Sequence, residues 1–81
     1  MPKLKVLSGK ELIKIFQSFG FSIKHSKGSH FRLARILLDG SRQALTIPNH
    51  KEIDKGTLAA IHREALEYIS AAELQPHFYQ E

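Results

Sequence analysis

Two glycine-containing turns divide the middle of this chain into three short extended runs, and that spacing limits the fold more than any other feature. Asp39–Gly40 lies between two apolar runs and is typical of a tight hairpin, because both residue types tolerate the positive φ that such turns need. Lys27–Ser29 is an earlier turn, relaxed by Gly28, that leads directly into His30. The sequence therefore predicts a meander of antiparallel strands in the centre of the chain.

The first predicted strand precedes the Lys27–Ser29 turn. Apolar and polar residues alternate over Phe21–His25, which predicts that Phe21 and Ile23 lie on the face toward the core. Strict alternation places His25 on that same side, where we expect a partly buried or strand-end histidine with a structural hydrogen bond.

Two further strands flank the second turn. One is predicted over His30–Ile36, with His30 and Arg32 on the face that points away from Phe31 and the core. The other is predicted over 42–47. Pro48 ends its pairing, because proline has no amide hydrogen to donate to a neighbouring strand.

Helices are predicted on both sides of the strands. Ser8–Glu11 has the form of a capping box, in which the serine and glutamate side chains each satisfy a free backbone amide. Apolar residues follow at helical spacing up to Gly20, so the first helix is predicted over about 9–19. Asp54 is a favoured N-cap and predicts a second helix over about 55–69.

The C-terminal segment repeats the capping-box pattern at Ser70–Glu73, which predicts a short third helical turn that ends before Pro76. The aromatic tail His77–Tyr79 has no local pattern that predicts a helix or a strand. The order α-β-β-β-α predicts an α+β fold, with a three-stranded antiparallel sheet and two helices packed on one of its faces.

Length and composition place limits on the organisation of the chain. At 81 residues we expect one domain, with its core at about 7–70 and an extension at 71–81, because a chain of this size buries only roughly 60% of its unfolded surface. The absence of cysteine excludes disulfides and favours a reducing cytoplasm. No apolar run approaches the ~20 residues that span a bilayer, so a soluble protein is expected.

Charge is distributed unevenly along the chain. Residues 1–50 hold nine of the twelve lysines and arginines but only two of the eight acidic residues, so the net charge of +4 hides a basic half and an acidic half. A basic half attracts polyanions, and nucleic acid is the commonest such partner for a small protein. A basic surface without a specific partner is the alternative.

The order of these motifs resembles that of the HicA (YcfA-like) family of bacterial toxin ribonucleases. The similar segments are Ser8–Ile13, Gly20–Phe21, Lys27–His30, Asp39–Gly40, Pro48–Ile53 and Lys55–Leu58, together with Ile61. The resemblance covers about residues 7–70. It implies a fold like the double-stranded-RNA-binding domain and an mRNA interferase that works without a metal or other cofactor. It also implies silencing by a HicB-like antitoxin in a hetero-oligomer, while the chain alone is expected to be a monomer.

The resemblance implies that His30 is the catalytic residue. RNA carries its own nucleophile, the 2′-hydroxyl, and an imidazole can take up its proton near neutral pH. Around His30, a glycine lets the backbone approach a phosphate, and cationic or hydroxyl side chains offset the charge of the transition state. The residues expected to bind RNA are Lys27, Gly28, Ser29, Arg32, His50 and Lys51.

One position departs from the family. Many members carry a second histidine directly after the first, and here that position is Phe31. Alternation sends Phe31 to the core face, where an aromatic residue packs well, so this change need not abolish activity. The general acid stays unidentified. His50 is one candidate, although an ordinary exposed loop histidine is the simpler interpretation, and no motif supports a role for His62 or His77.

Other classes of protein remain open on the sequence alone. A non-catalytic RNA-binding module or a decayed toxin would carry the same basic turns, and a protein-interaction domain would use the basic half to bind an acidic partner. A zinc site is disfavoured, because there is no cysteine and no pair of histidines at metal-ligand spacing.

Overall fold

The computed structural model of the chain describes residues 2–80. Its helices and strands, in chain order, are β1 (Lys3–Leu4), α1 (Gly9–Ser18), β2 (Ser22–Lys27), β3 (His30–Ile36), β4 (Arg42–Pro48), α2 (Lys55–Ala65), α3 (Ala71–Phe78) and β5 (Tyr79–Gln80). Strands β2, β3 and β4 form an antiparallel sheet in that order. The predicted α+β fold and its α-β-β-β-α order are confirmed.

The core lies between one face of the sheet and the helices. Its side chains come mainly from helices α1 and α2 and from strands β3 and β4. They include Leu12, Phe16, Leu33, Leu45, Ile47, Leu58 and Ile61.

The other face of the sheet, which we call the open face, carries His30, Arg32, Arg42 and Thr46, all exposed. Ala34 and Pro48 lie on the open face as well and are buried, so the exposed part of this face is formed by its longer polar side chains. No helix within residues 2–80 is long and apolar enough to cross a membrane.

The capping box at the start of α1 forms as the sequence predicts. Ser8 Oγ accepts a hydrogen bond from the Glu11 amide at 3.1 Å, and Glu11 Oε1 accepts one from the Ser8 amide at 2.9 Å. These bonds satisfy two free amides and close the first turn of α1.

A β-bulge in β2 overturns one prediction from the alternating pattern. Ile23 pairs with Leu33, but the next paired residue is His25, which lies opposite Arg32. Lys24 is the extra residue, and it shifts everything after it by one position. The expectation that His25 shares a face with Ile23 is therefore wrong, and His25 is exposed on the open face with Arg32.

Helix α2 is shorter than predicted. It ends at Ala65 instead of near residue 69, because the amides of Glu67 and Tyr68 bond to carbonyls only three residues back. These bonds tighten the last turn and stop the helix.

The C-terminal extension is more ordered than the sequence indicates. Helix α3 continues through Pro76 to Phe78, although its end was predicted before this proline. Leu74 and Phe78 are completely buried, and Lys5 Nζ donates a hydrogen bond to the Pro76 carbonyl at 2.8 Å. The buried apolar side chains compensate for the amide that proline lacks. Beyond α3, strand β5 pairs antiparallel with β1, a contact that the sequence does not predict.

His62 on α2 packs against this extension. Its ring centroid lies 5.0 Å from that of Phe78 and 5.4 Å from that of Tyr79. Its Nε2 is the one buried side-chain nitrogen or oxygen within residues 2–80 that has no hydrogen-bond partner. Burial lowers the pKa of His62, because the charged imidazolium would lose its water without gaining a partner.

The environment of His62 predicts an acid-sensitive stability. As the pH falls below about 6.5, the ordinary histidine value, the unfolded chain binds a proton more readily than the folded one, so folding is weakened. The carboxyl groups of Glu11, Asp39 and Asp54 have a lowered pKa owing to hydrogen bonds with Ser8, Ser41 and Thr57, and they titrate only at lower pH. We expect His62→Leu to reduce the stability difference between pH 7.5 and 5.5, measured by urea unfolding. An unchanged difference would contradict this role.

Candidate functional site

His30 occupies the first position of β3, where three strands meet. It lies opposite Lys27 of β2 on one side and opposite Pro48 of β4 on the other. Its side chain is exposed, and Ser29 Oγ lies 3.5 Å from its Nδ1. An imidazole in this position is open to a solvent-borne substrate and has a cation directly across the strand pair.

The turn before His30 depends on a glycine. Gly28 has a φ of +58°, in the left-handed region that favours glycine, and no other group lies within 4 Å of where its Cβ would be. Glycine is therefore favoured at position 28 by its backbone conformation, and a larger side chain there would not collide with a neighbouring group. Gly28 and Ser29 form the rim of the open face, next to His30.

The loop after β4 is bonded to this turn and to α1. The Asn49 amide donates to the Ser29 carbonyl at 2.5 Å, and the Gly9 amide donates to the His50 carbonyl at 2.9 Å. These two bonds connect the Lys27–Ser29 turn, the loop and the start of α1. The loop therefore has a fixed position relative to His30.

A cleft of about 380 Å³ lies between the loop and the start of α1, lined by Ser8, Lys10, Asn49, His50 and Lys51. The predicted RNA-binding residues His50 and Lys51 meet there. Lys10 and Asn49 are additions that the sequence did not indicate. Lys10 and Lys51 give the cleft a positive charge suited to a phosphate group.

Gly9 allows this approach of the loop to α1. A Cβ at Gly9 would lie 2.1 Å from the carbonyl oxygen of Pro48, far inside van der Waals contact with a backbone atom. We expect Gly9→Ala to force the loop and α1 apart, at a cost of about 1–3 kcal/mol, as for other overpacked sites. Thermal unfolding measures this loss.

Gly56→Ala is the matched control for Gly9→Ala. A Cβ at Gly56 would make only an ordinary contact, 3.4 Å from Asp54 Oδ2. Alanine is the better helix former by up to about 1 kcal/mol, so this variant should be as stable as the natural chain or slightly more so. Equal losses for the two variants would show that the Gly9 contact is not the cause.

The open face extends from His30 along β3. Arg32 Nη1 donates to Thr46 Oγ1 at 3.0 Å, which holds the guanidinium over the sheet. Lys27, His30 and Arg32 therefore lie on one exposed surface. Alternation predicts this face for His30 and Arg32, and the bulge at Lys24 adds Lys27 to it. His50 and Lys51 lie in the cleft beyond Pro48. Within residues 2–80 no group of three or more histidine, cysteine or acidic side chains is placed to hold a metal ion.

A comparison with protein families matches the part of the chain that builds this surface. The family described as the HicA toxin of bacterial toxin-antitoxin matches residues 9–66, well over half of the 81-residue chain. The chain belongs to the HicA toxin family. Membership of this family implies an antitoxin partner. The comparisons with curated proteins and with solved structures return no match.

The matched segment of this HicA toxin contains every element around His30. It begins at the first residue of α1 and ends just after α2, so it includes the Lys27–Ser29 turn, the open face and the loop at 49–51. Strands β1 and β5 and helix α3 lie outside the matched segment. In this HicA toxin, Phe78 of α3 and Tyr79 of β5 pack against His62 of α2, and Phe78 also packs against Phe16 of α1.

Proposed function

We propose that this HicA toxin is an endoribonuclease that cleaves mRNA without a metal, with His30 as the general base. The observation that carries the proposal is the exposed imidazole of His30 on the open face, flanked by Lys27 and Arg32. An imidazole beside two cations is suited to a reaction in which a hydroxyl loses its proton next to a phosphate.

RNA supplies the nucleophile for this reaction. His30 removes the proton of a 2′-hydroxyl, the oxygen attacks the adjacent phosphorus, and the bond to the 5′-oxygen breaks. The products are a 2′,3′-cyclic phosphate and a 5′-hydroxyl. The protein needs only to align the groups and to stabilise the added negative charge.

The surrounding residues supply that charge and the alignment. Lys27 and Arg32 stabilise the charge of the phosphate, while Gly28 and Ser29 let the RNA backbone approach the turn closely. His50 and Lys51 bind a neighbouring phosphate in the cleft beside α1.

The antitoxin is proposed to be a HicB-like protein that covers the open face. Its contact would bury His30 and exclude RNA, which accounts for inhibition. Alone, the HicA toxin is proposed to be a single-domain monomer of the cytoplasm, and sedimentation as a tight dimer would contradict that state.

The experiment that tests the function is cleavage of a mixed-sequence single-stranded RNA by the purified protein in EDTA. We expect products that end in 2′,3′-cyclic phosphate. Binding without cleavage would overturn the enzyme assignment in favour of an RNA-binding module or a decayed toxin. In that case, removing the charge of Lys27, Arg32 or Lys51 would weaken binding and reduce its salt dependence, with no change in the RNA itself.

A further inference from the structure

The bulge at Lys24 brings a second histidine to the open face. Before the bulge, Ile23 lies opposite Leu33 on the core side of the sheet. After it, His25 lies opposite Arg32, and Lys27 lies opposite His30. Residues that face each other across an antiparallel pair project from the same side of the sheet, so His25 shares the open face with His30.

The two histidines are diagonal neighbours across β2 and β3. His25 lies opposite Arg32, two residues along β3 from His30, and Cβ atoms in this relation are about 7 Å apart. Both side chains are exposed. A phosphate group fits between two imidazoles at this spacing, with one ring on the side of the nucleophile and the other on the side of the leaving group.

The other three histidines of the chain lie elsewhere. The ring of His62 packs on Phe78 and Tyr79 of the C-terminal extension, and the ring of His77 lies 5.4 Å from Phe19 at the end of α1. His50 lies in the cleft beyond Pro48. Only His25 is paired into the same patch of sheet as His30.

The charged groups beside His25 suit a phosphate between the two rings. Arg32 lies directly opposite His25, and one of its five N–H donors is used on Thr46, which leaves the others for phosphate oxygens. Lys27 lies opposite His30, and the bulged Lys24 precedes His25 on the same strand. Cations therefore accompany both histidines.

We infer that His25 is the general acid of this HicA toxin, a role that rests on the proposed ribonuclease function. As His30 takes the proton of the 2′-hydroxyl, the new bond between the 2′-oxygen and phosphorus forms. The bond between phosphorus and the 5′-oxygen breaks, and His25 gives its proton to that departing oxygen. Water then exchanges the protons of the two rings between turnovers, and no other reactant is required.

The test compares two leaving groups at the cleavage site mapped on ordinary RNA. One substrate keeps the natural 5′-oxygen, and the other has a single bridging sulfur there, which departs without being protonated. We expect His25→Ala to cleave the natural RNA roughly 10²- to 10⁴-fold more slowly than the natural protein does. On the sulfur substrate, the variant and the natural protein should cleave at nearly the same rate. His30→Ala should fail on both substrates.

The pH profile gives a second readout. Cleavage by the natural protein should rise and then fall with pH, because the base must be unprotonated and the acid protonated. His25→Ala should lose the fall at high pH and keep the rise. Ser26→Ala, on the same strand but opposite Phe31 on the other face, is the control and should keep both limbs.

Three other results would contradict the role of His25 or the ribonuclease function on which it rests. If His25→Ala cleaves natural RNA at the natural rate, His25 has no role in the chemistry. If it slows both substrates equally, His25 binds RNA and is not the acid. If the natural protein cleaves neither substrate, the proposed ribonuclease function itself fails. Thermal melts of each variant separate these results from unfolding, which is not expected because His25 is exposed.

Discussion

Replacing His30 by alanine is expected to abolish RNA cleavage while leaving the fold intact. The imidazole is exposed at the start of β3 and contributes nothing to the core, so its removal should not alter the melting temperature by more than about 2–4 °C. Loss of the general base should lower the single-turnover rate by roughly 10²- to 10⁴-fold. Quenched time courses on labelled RNA in EDTA measure this rate.

His77→Ala is a suitable control for this result. This residue is also a histidine, but it lies on α3 beside Phe19 and away from the open face, so cleavage should continue at the natural rate. RNA affinity of His30→Ala, measured by fluorescence anisotropy, should fall only slightly because Lys27 and Arg32 remain. If His30→Ala cleaves RNA as fast as the natural protein, His30 is not the general base. The activity then comes from another residue or from a contaminating nuclease.

Replacing Phe78 by alanine is expected to lower the free energy of unfolding by about 3–5 kcal/mol. The ring is completely buried, and its centroid lies 6.1 Å from that of Phe16 in α1 and 5.0 Å from that of His62 in α2. A chain of 81 residues has a total stability of roughly 4–12 kcal/mol, so one side chain in the extension accounts for a large fraction of it.

Urea unfolding of Phe78→Ala and Leu38→Ala tests this expectation. Leu38 is an apolar residue with a fully exposed side chain in the turn between β3 and β4, and its removal should change stability by less than about 0.5 kcal/mol. If both variants lose the same small amount, helix α3 does not pack as described. If Phe78→Ala alone is destabilised, the segment outside the family match is part of the core.

Local signals were sufficient for most of the fold. The first helix, the strand at His30–Ile36 and the hairpin at Asp39–Gly40 were predicted from a capping box, an alternating pattern and a turn pair, each contained within a few residues. Such signals act through the chain's own backbone, so they do not require knowledge of distant contacts.

The candidate site was predicted only in part. His30 and Arg32 could be placed on one surface, because alternation along β3 decides which way each side chain points. Lys27 shares that surface only because the bulge at Lys24 shifts the end of β2 by one position. Lys10 could not be placed there. Its position beside the loop depends on the close contact of Gly9 with Pro48, which joins residues nearly forty positions apart in sequence.

The sequence by itself determined the order of the helices and strands, the turn that presents His30 and the family to which the chain belongs, because these depend on short patterns of residue type. Tertiary structure alone decided the face of His25 and the path of the C-terminal extension. A bulge is set by how β2 fits against β3, and a helix that contains Pro76 persists because Leu74 and Phe78 are buried by distant parts of the chain. Packing against residues far away in sequence overrode the local preference in both places.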